Sequence, residues 1–368
     1  MELIRVLIVD DSSLIRSIIK DALSHSNYIE VVGEAEDPFI ARDLIKKLNP
    51  DVLTLDVEMP KMDGITFLMN LMRLRPMPVI MLSTLTTKGA DITLQALEIG
   101  ALDFIAKPTI KDLLASKDSF REILIEKITQ AVKIDQKNFK LSDVLANNKD
   151  LNNISSFMGA KRTNHLVAIG ASTGGTEAIK KLLLSLPSNA PAIVITLHIP
   201  KTFSLRFAQR LNEICQVEVH EASHGQKIKA GHVYIAPGDK HLKVVSKNGA
   251  LFCTLSNEQE VNRHKPAVDV LFDSISPLAD NVQAILLTGM GQDGAHGMLR
   301  LKALGAKTII QDKNSSLIWG MPGKAHALLA HTIALPLSEI ANQILDYAVL
   351  NRMDMQKALA QPIVEETL

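Results

Sequence analysis

The chain is organised by a regular alternation of short β-branched segments with stretches of helical periodicity. Apolar, β-branched runs at 6–9, 31–32, 52–55, 79–82 and 104–105 are separated by helical patterns, all within the first 125 residues or so. Strands that are joined through single helices lie parallel in a sheet. The first part of the chain is therefore predicted to form a doubly wound, flavodoxin-like sheet of five parallel strands.

A second alternation begins after a polar segment. Residues 133–164 are rich in Asn, Asp and Lys and show little apolar periodicity, which is typical of a linker. Beyond it, strands are predicted at 165–169, 192–196, 217–220, 232–235, 251–255, 284–287 and 308–311, with helices at 177–185, 204–213, 269–279, 294–303 and 338–360. We therefore expect two α/β domains, the second Rossmann-like and mainly parallel. The predicted boundaries are 1–125 for the first domain, 126–163 for a linker, 164–349 for the second domain and 350–368 for a C-terminal tail.

The composition excludes several classes of protein. Lys plus Arg equals Asp plus Glu at 40 each, so no excess positive charge favours nucleic acid as a partner. The two cysteines, Cys215 and Cys253, are far apart and form no C-x-x-C motif, which argues against a disulfide framework. No stretch approaches the roughly 20 apolar residues of a membrane span. A cytoplasmic protein that does not insert into the membrane is expected.

Carboxylates follow two strands of the first domain. Asp10 and Asp11 come directly after the first strand, and Asp56 follows the third. The carboxyl ends of parallel strands open onto one edge of the sheet, so these groups are expected to converge there. Bunched carboxylates require a cation, and oxygen ligands suit Mg²⁺. Ser83 and Lys107 follow the fourth and fifth strands, and a hydroxyl and an ammonium group beside this cluster suit a phosphate.

A glycine-rich turn, 170–175, links a strand to a helix at the start of the second domain. Its letters, Gly-Ala-Ser-Thr-Gly-Gly, match the G-x-S-x-G pattern of a turn that exposes a nucleophilic serine, here Ser172. A dinucleotide-binding loop would have glycine at the position of Ser172, and a Walker loop would need Gly-Lys-Ser or Gly-Lys-Thr. The local pattern alone leaves open a nucleophile, an anion-binding loop and a purely structural turn.

Two further residues could complete a nucleophilic site. His198 follows the strand at 192–196 and precedes Ile199-Pro200, which ends the strand. Asp293 lies in a glycine-rich segment after the strand at 284–287. A histidine can serve as base for Ser172, and a carboxylate can fix the imidazole tautomer. An aspartate before a helix is also an ordinary N-cap, so Asp293 alone would be a weak signal.

The first domain resembles the receiver domain of two-component response regulators. The resemblance is carried by the residues described above and by the segment 59–64, Met-Pro-Lys-Met-Asp-Gly, after Asp56. It implies that Asp56 accepts a phosphoryl group from a chemotaxis histidine kinase and that Ser83 and Lys107 sense the phosphate. It also implies an Mg²⁺ site formed by Asp10, Asp11, Asp56 and the backbone of Glu58.

The second domain resembles the bacterial chemotaxis receptor methylesterases. The similarity lies in segments 170–175, 198–200, 234–241, 262–269 and 287–294. It implies a phosphorylation-activated serine esterase that hydrolyses glutamate γ-methyl esters on methyl-accepting chemotaxis receptors and deamidates specific receptor glutamines, with no cofactor for the esterase chemistry. The family's catalytic residues fall on Ser172, His198 and Asp293, and its oxyanion donors on the backbone of Thr173 and Met290.

Three other functions fit fewer of these residues. An output domain that only binds a partner would not need Ser172. A nucleotide-dependent enzyme would use the loop at 170–175 but lacks the glycine at its third position. A DNA-binding output lacks a basic recognition helix. The esterase hypothesis accounts for the largest number of these residues.

Overall fold

The computed structural model describes residues 3–108, 110–133 and 165–349, which form two compact units. One unit contains a five-stranded sheet, and the other contains a seven-stranded sheet and a separate two-stranded hairpin. Most of the predicted linker and the whole predicted tail at 350–368 lie outside the described residues.

The first unit is a doubly wound sheet with the strand order β2-β1-β3-β4-β5. Every pair of neighbouring strands is parallel, which confirms the flavodoxin-like prediction. The elements are β1 (Ile4–Val9), α1 (Ser13–Ser24), β2 (Ile29–Ala35), α2 (Pro38–Leu48), β3 (Val52–Asp56), α3 (Gly64–Leu74), β4 (Val79–Ser83), α4 (Thr87–Ile99), β5 (Asp103–Ala106) and α5 (Ile110–Ala131). Helix α5 continues past residue 125, where the first domain was expected to end.

Local sequence explains where the helices of this unit begin. Asp37 caps α2 by accepting hydrogen bonds from the backbone N–H groups of Phe39 and Ile40, and Pro38 occupies the first helical position. Asn49 ends the same helix with a φ of 47°, a conformation that Asn tolerates. From β1 the chain crosses to β2 on one side, and from β2 it returns to β3 on the other side of β1. A crevice therefore opens at the carboxyl ends of β1 and β3.

The second unit contains a seven-stranded sheet with the order β14-β13-β12-β6-β7-β9-β8, in which all paired strands are parallel. This confirms a Rossmann-like architecture. The elements are β6 (Leu166–Ala171), α6 (Gly175–Leu184), β7 (Ala192–Leu197), α7 (Lys201–Ile214), β8 (Glu218–Glu221), β9 (His232–Ile235), β10 (His241–Lys247), β11 (Ala250–Ser256), α8 (Val268–Ser274), a 3₁₀ helix (Ser276–Asn281), β12 (Val282–Leu286), α9 (Ala295–Ala303), β13 (Lys307–Gln311), α10 (Met321–Ala327), β14 (Ile333–Leu335) and α11 (Leu337–Val349).

Several elements of this unit were not predicted from the sequence. Strand β10 mixes lysine and serine with valine, and it pairs antiparallel with β11 through a turn at Asn248 and Gly249, where both φ angles are positive. An Asn-Gly turn is a strong hairpin signal that the prediction missed. Helix α10 and strand β14 are short, with seven and three residues, and carry little periodicity. Of the helix predicted at 338–360, the structure describes α11 (Leu337–Val349), and the remainder lies outside the described residues.

The core of the second unit surrounds β6, which lies between β7 and β12. The residues of β6 and β12 are buried, because helices cover both faces of a parallel sheet. Gly170 and Leu286 are register partners at the ends of these strands. The loops that follow β6, β7 and β12 therefore emerge side by side at one edge of the sheet.

Candidate functional site

The three residues of the predicted catalytic set all follow strands in the middle of the seven-stranded sheet. Ser172 comes directly after β6, His198 directly after β7, and Asp293 lies in the loop between β12 and α9. Because the three strands are neighbours and parallel, the structure places these residues at one edge of the sheet.

Ser172 is held in a tight strand-to-helix turn. Its backbone N–H donates a 3.1 Å hydrogen bond to the carbonyl of Thr288, which ties the turn to the loop after β12. Gly170, two residues earlier, packs so closely that a Cβ atom there would lie 2.4 Å from Val268. Gly174, two residues later, has a φ of 76°, which favours glycine. The glycines of the 170–175 motif therefore have structural roles on both sides of the serine.

His198 lies beside Ser172 at the ends of β6 and β7. Ala171 and Leu197 are register partners, and the backbone N–H of His198 donates a 3.2 Å hydrogen bond to the carbonyl of Ala171. Neighbouring strands are about 4.8 Å apart, so the next residues on each, Ser172 and His198, are close enough for their side chains to meet.

Within the described part of the chain, the imidazole of His198 has a hydrogen-bond partner at one nitrogen only. Nε2 lies 2.9 Å from Oδ2 of Asp293. Nδ1 is buried and has no hydrogen-bond partner among the residues that the structure describes. If Nε2 carries the proton and donates it to Asp293, Nδ1 presents a lone pair that can accept the proton of a serine hydroxyl.

Asp293 is a buried carboxylate, 1% exposed, that accepts four hydrogen bonds. Oδ2 accepts from His198 and from the backbone N–H of Val268 at 2.6 Å, and Oδ1 accepts from the side chain of Asn262 at 2.8 Å and from the backbone of Asp269 at 3.1 Å. Burial acts to raise the pKa of Asp293, but the hydrogen bonds and the charge of His198 outweigh it and lower the pKa to about 2. Asp293 is therefore ionised at neutral pH.

Asn262 is a site residue to which the sequence analysis assigned no role. Its side-chain amide bridges two carboxylates, donating to Oδ1 of Asp293 and to Oδ2 of Asp269, both at 2.8 Å. Burial and the charge of Asp293 raise the pKa of Asp269, against the hydrogen bond that Asp269 accepts from Gly297. The amide thus holds together two carboxylates that would otherwise repel each other.

The backbone around Asn262 explains how the amide reaches this position. Val261 and His264 exchange two backbone hydrogen bonds, and the two residues between them, Asn262 and Arg263, have φ angles of 53° and 65°. This is the geometry of a two-residue hairpin turn with positive φ at both central positions, where Asn is favoured and Arg is strained. An Asn in such a turn was the available sequence signal.

The same turn places His264 against His198. The two imidazole rings are stacked, with centroids 3.7 Å apart and an interplanar angle of 10°. Stacking on one face and the hydrogen bond to Asp293 at one edge together restrict the orientation of the His198 ring. In the sequence, His264 falls within the segment 262–269 that carries the resemblance, and no role is assigned to it.

The loop that contains Met290 packs directly against Ser172. A Cβ atom on Gly289 would lie 2.9 Å from both Cβ and N of Ser172 and 2.5 Å from the sulfur of Met321. The carbonyl of Gly289 accepts hydrogen bonds from the N–H groups of Gly320 and Met321, which fix the loop from the other side. The predicted oxyanion residues therefore occupy adjoining segments, Thr173 next to Ser172 in the chain and Met290 next to Gly289.

The carboxylate cluster of the first unit assembles at the crevice between β1 and β3. Asp10, Asp11 and Asp56 offer oxygen atoms that all lie within 4.8 Å of one another. Lys107 contacts two of them, with Nζ 2.9 Å from Oδ2 of Asp10 and 2.7 Å from Oδ2 of Asp56. The backbone N–H of Glu58 donates a 3.2 Å hydrogen bond to Asp56.

The environment of this cluster disfavours the ionised forms of Asp10 and Asp56. Burial, together with the charge of Asp10, raises the pKa of Asp56 to about 6, although Lys107 opposes the shift. Burial also raises the pKa of Asp10. The side-chain atoms of this cluster that could bind an ion are carboxylate oxygens, the ligands that Mg²⁺ prefers. These residues therefore fit a magnesium ion by their chemistry.

Ser83 and Lys107 lie next to each other at the ends of β4 and β5. The backbone N–H of Lys107 donates a 2.8 Å hydrogen bond to the carbonyl of Ser83. Leu82 on β4 is the register partner of Asp56, and Ser83 is the next residue of β4. The Ser83 hydroxyl is buried and lies 2.7 Å from the hydroxyl of Thr93. All residues predicted for the phosphate site are thus placed along one edge of the sheet.

Together the two sheets and their sites define a response regulator with an enzymatic output domain. Family models match both parts: the response regulator receiver domain at residues 6–117 and the CheB methylesterase at residues 167–344. The chain is 48% identical to a protein-glutamate methylesterase/protein-glutamine glutaminase of Hydrogenovibrio crunogenus, over 94% of this chain and 99% of the relative.

Two further relatives carry the same name with the number 1. The protein from Hahella chejuensis is 50% identical over 92% of this chain and 95% of its own length, and that from Xanthomonas campestris pv. campestris is 46% identical over 93% and 96%. The chain therefore belongs to the protein-glutamate methylesterase/protein-glutamine glutaminase family, as its resemblance implied. Within the described ranges, no helix has the length and apolarity needed to cross a bilayer.

Proposed function

We propose that the second unit hydrolyses γ-methyl esters of glutamate on methyl-accepting chemotaxis receptors, with Ser172 as nucleophile, His198 as general base and Asp293 as the orienting carboxylate. The observation that carries this assignment is the 2.9 Å contact between His198 Nε2 and Asp293 Oδ2, which leaves the buried Nδ1 without a hydrogen-bond partner among the described residues. Family membership supplies the reaction class, since the named relatives are methylesterases and glutaminases.

The reaction follows from the roles of the three side chains. The Ser172 hydroxyl gives its proton to Nδ1 of His198 while its oxygen attacks the ester carbonyl. The resulting tetrahedral oxyanion collapses, and the leaving methoxide takes the proton from His198 and departs as methanol. Water, deprotonated by His198, then attacks the acyl-enzyme and releases glutamate and the free serine. Throughout, the ionised Asp293 stabilises the imidazolium.

The oxyanion would be bound by the backbone N–H groups of Thr173 and Met290. The amide after a nucleophile in this type of turn is an ordinary oxyanion donor. The second donor is supported by the packing of Gly289 on Ser172, since it brings the Met290 backbone next to the nucleophile. Each such donor contributes about 3 to 4 kcal/mol to transition-state stabilisation in comparable enzymes.

Deamidation of receptor glutamines uses the same steps with another leaving group. The carbonyl carbon of a glutamine side chain is attacked in the same way, and ammonia leaves in place of methanol. Both reactions end in a glutamate, so each turnover adds one negative charge to a receptor helix. Like charges on neighbouring turns of a helix repel each other, which gives a physical output for adaptation of chemotactic signalling.

The first unit is proposed to control this activity as a receiver. Asp56 would accept a phosphoryl group from a chemotaxis histidine kinase, and Ser83 and Lys107 would respond to it. Asp10, Asp11, Asp56 and the backbone of Glu58 would hold Mg²⁺, which neutralises charge on the phosphoryl oxygens. The raised pKa of Asp56 supports a site that needs an additional cation, because Lys107 alone does not offset burial and Asp10.

The proposed extents of the domains are 1–125 for the receiver and 164–349 for the methylesterase, the receiver's last helix running on to Ala131. A cytoplasmic location is proposed as well. It is supported by the cysteine content of the sequence, since Cys215 and Cys253 are far apart and form no C-x-x-C motif.

The test is an assay on methylated receptor membranes, with methanol release and glutamine-to-glutamate conversion measured together. We expect both activities in the wild-type chain, and a severalfold increase on addition of a small phosphodonor and Mg²⁺. Asp56→Asn should keep the basal rate and lose the response, whereas Asp43→Asn, at an exposed carboxylate of α2, should behave as wild type. An equal response of Asp56→Asn and wild type would contradict the proposed control.

A further inference from the structure

A glutamate and two histidines, side chains of the types that bind transition metals, meet at one lateral edge of the seven-stranded sheet. β8 is the edge strand and pairs in parallel with β9, with Glu218 opposite His232. His220 is two residues after Glu218 and therefore lies on the same face of the sheet. None of these residues has a role in the proposed esterase or receiver chemistry.

Only one of the three distances among these side chains is that of a hydrogen bond, the contact between the two imidazole nitrogens. Nε2 of His220 and Nδ1 of His232 are 3.0 Å apart, and Oε2 of Glu218 lies 3.7 Å and 3.5 Å from them. The two contacts of the carboxylate are too long for hydrogen bonds. A point equidistant from the three atoms lies about 2 Å from each, which is the length of a zinc–nitrogen or zinc–oxygen bond.

Tyr234 bounds the cluster on one side, and the cluster is open to solvent on another. Tyr234 lies on the same face, with its ring centre 5.7 Å from that of His220 and 6.2 Å from that of His232. Its hydroxyl is fixed by hydrogen bonds to the backbone of Lys227 and Lys229, so its ring forms a firm wall. The side chain of Glu218 is 66% exposed and those of the histidines are 34% and 21% exposed, which leaves a path from solvent.

We propose that Glu218, His220 and His232 form a binding site for a divalent transition-metal ion, best suited to Zn²⁺. Two imidazoles and one carboxylate are a ligand set that Zn²⁺ accepts, whereas Mg²⁺ and Ca²⁺ require oxygen ligands. Three protein ligands leave a fourth position for water or for a donor atom from another molecule.

The site is separate from the catalytic residues. Glu218 and His232 are the first residues of β8 and β9, at the amino ends of the strands, whereas Ser172 and His198 follow the carboxyl ends of β6 and β7. In a parallel sheet these are opposite edges. Bound zinc would therefore link the edge strand to its neighbour and stabilise the fold without taking part in ester hydrolysis.

A zinc titration of the full-length, chelator-treated protein tests the proposal. Calorimetry with ZnCl₂ should show one site per chain in the wild type, with binding weakened at least about 100-fold in His232→Gln. Glu218→Gln, a change at an exposed position, should also weaken binding. This second variant keeps the test decisive if His232→Gln unfolds. His25→Gln, at an exposed histidine after α1, is the matched control and should bind as wild type.

A competing zinc site must be distinguished, because His198, His264 and Asp293 also lie within 4.8 Å of one another. His264→Gln should retain the zinc site, and the melting temperature of this variant and of the wild type should rise by several degrees with zinc. Unchanged binding in His232→Gln and in Glu218→Gln, or loss of binding in His264→Gln alone, would overturn the proposal. So would a wild-type dissociation constant above about 100 µM.

Discussion

Nε2 of His198 lies 2.9 Å from Oδ2 of Asp293, a residue 95 positions further along the chain. The contact uses the nitrogen that is remote from the ring's attachment point, and the buried Nδ1 has no hydrogen-bond partner among the described residues. It also explains why Asp293 has its pKa lowered to about 2 despite burial, since the histidine is one of several donors to that carboxylate. The carboxylate and the imidazole are thus connected, and the ring keeps its second nitrogen for the proton transfer proposed for Ser172.

Asp293→Asn tests this connection. An amide at this position can turn its NH₂ group toward His198 and favour the wrong imidazole tautomer, as in other triads. We expect kcat for methanol release to fall by about 10³ to 10⁴-fold with little change in KM. Asp273→Asn, at an exposed carboxylate paired with Arg300, is the matched control and should keep full activity. A loss of less than tenfold in Asp293→Asn would show that this carboxylate does not orient the base.

The three members of this set could be found from the sequence because each has a local signal. A glycine-rich turn, a histidine before Ile-Pro and an aspartate in a glycine-rich loop all follow strands, and parallel strands bring such positions together. Asn262 and His264 could not be assigned in this way. Their contribution depends on a turn with two positive φ angles, and that geometry places an amide and a ring against residues far away in the sequence.

Asn262→Ala removes the amide that bridges Asp269 and Asp293. Two buried carboxylates then face each other with one donor fewer, and hydrogen bonds to charged groups contribute about 1.5 to 3 kcal/mol. We expect kcat to fall by roughly 10 to 100-fold, KM to stay near its wild-type value and the pH profile of kcat to shift. Asn257→Ala, at an exposed asparagine near the same turn, should leave all three unchanged. Wild-type kinetics in Asn262→Ala would mean that the amide is not needed for positioning.

Gly289→Ala tests the packing of the Met290 loop on the nucleophile. The added methyl group would come within 2.5 Å of the Met321 sulfur and 2.9 Å of Ser172, so one of these segments must move. Displacement of a reacting group by about 1 Å costs roughly 100-fold in rate, which is the loss we expect in kcat. Gly249→Ala, in the β10–β11 turn where the Cβ meets open space, should lose some stability and no activity. Equal kcat values for the two variants would contradict the proposed role of this loop.

Asp56→Asn is expected to stabilise the receiver in a pH-dependent manner. The folded-state pKa of about 6 lies above the ordinary value of 3.8, so ionisation of Asp56 disfavours the folded state. This penalty is absent below pH 3.8, grows up to pH 6 and is complete above it, where it amounts to up to roughly 3 kcal/mol. The asparagine variant removes the penalty, so its gain in unfolding free energy should be large at pH 8 and small at pH 4.

Hydrogen exchange of peptides from β1 and β3 measures this gain, because the only tryptophan, Trp319, lies in the other unit. Exchange in Asp56→Asn should be slower than in wild type at pH 8, after correction for the intrinsic rate. Asp43→Asn, at an exposed carboxylate, should match the wild type. A gain of the same size at pH 4 and pH 8 would show that burial of the charge is not its cause.

The fold was predictable where periodicity was strong and less so where elements were short. The five strands of the receiver and the central strands β6, β7 and β12 are apolar runs separated by helices, and each was predicted near its observed place. Strand β10 has no regular apolar pattern of its own, although its Asn-Gly turn was a usable signal, and β14 has only three residues. The end of helix α5 at Ala131 could not be located because its polar and apolar residues continue without a stop signal.

Methanol release by Ser172→Ala tests directly whether this hydroxyl is the attacking group. The variant should be compared with Ser188→Ala, at an exposed serine in the loop before β7, on methylated receptor membranes with a saturating phosphodonor. We predict that Ser188→Ala retains the wild-type rate and that Ser172→Ala loses at least about 10⁴-fold in kcat while remaining folded. Methanol release by folded Ser172→Ala at a rate within tenfold of wild type would show that Ser172 is not the nucleophile.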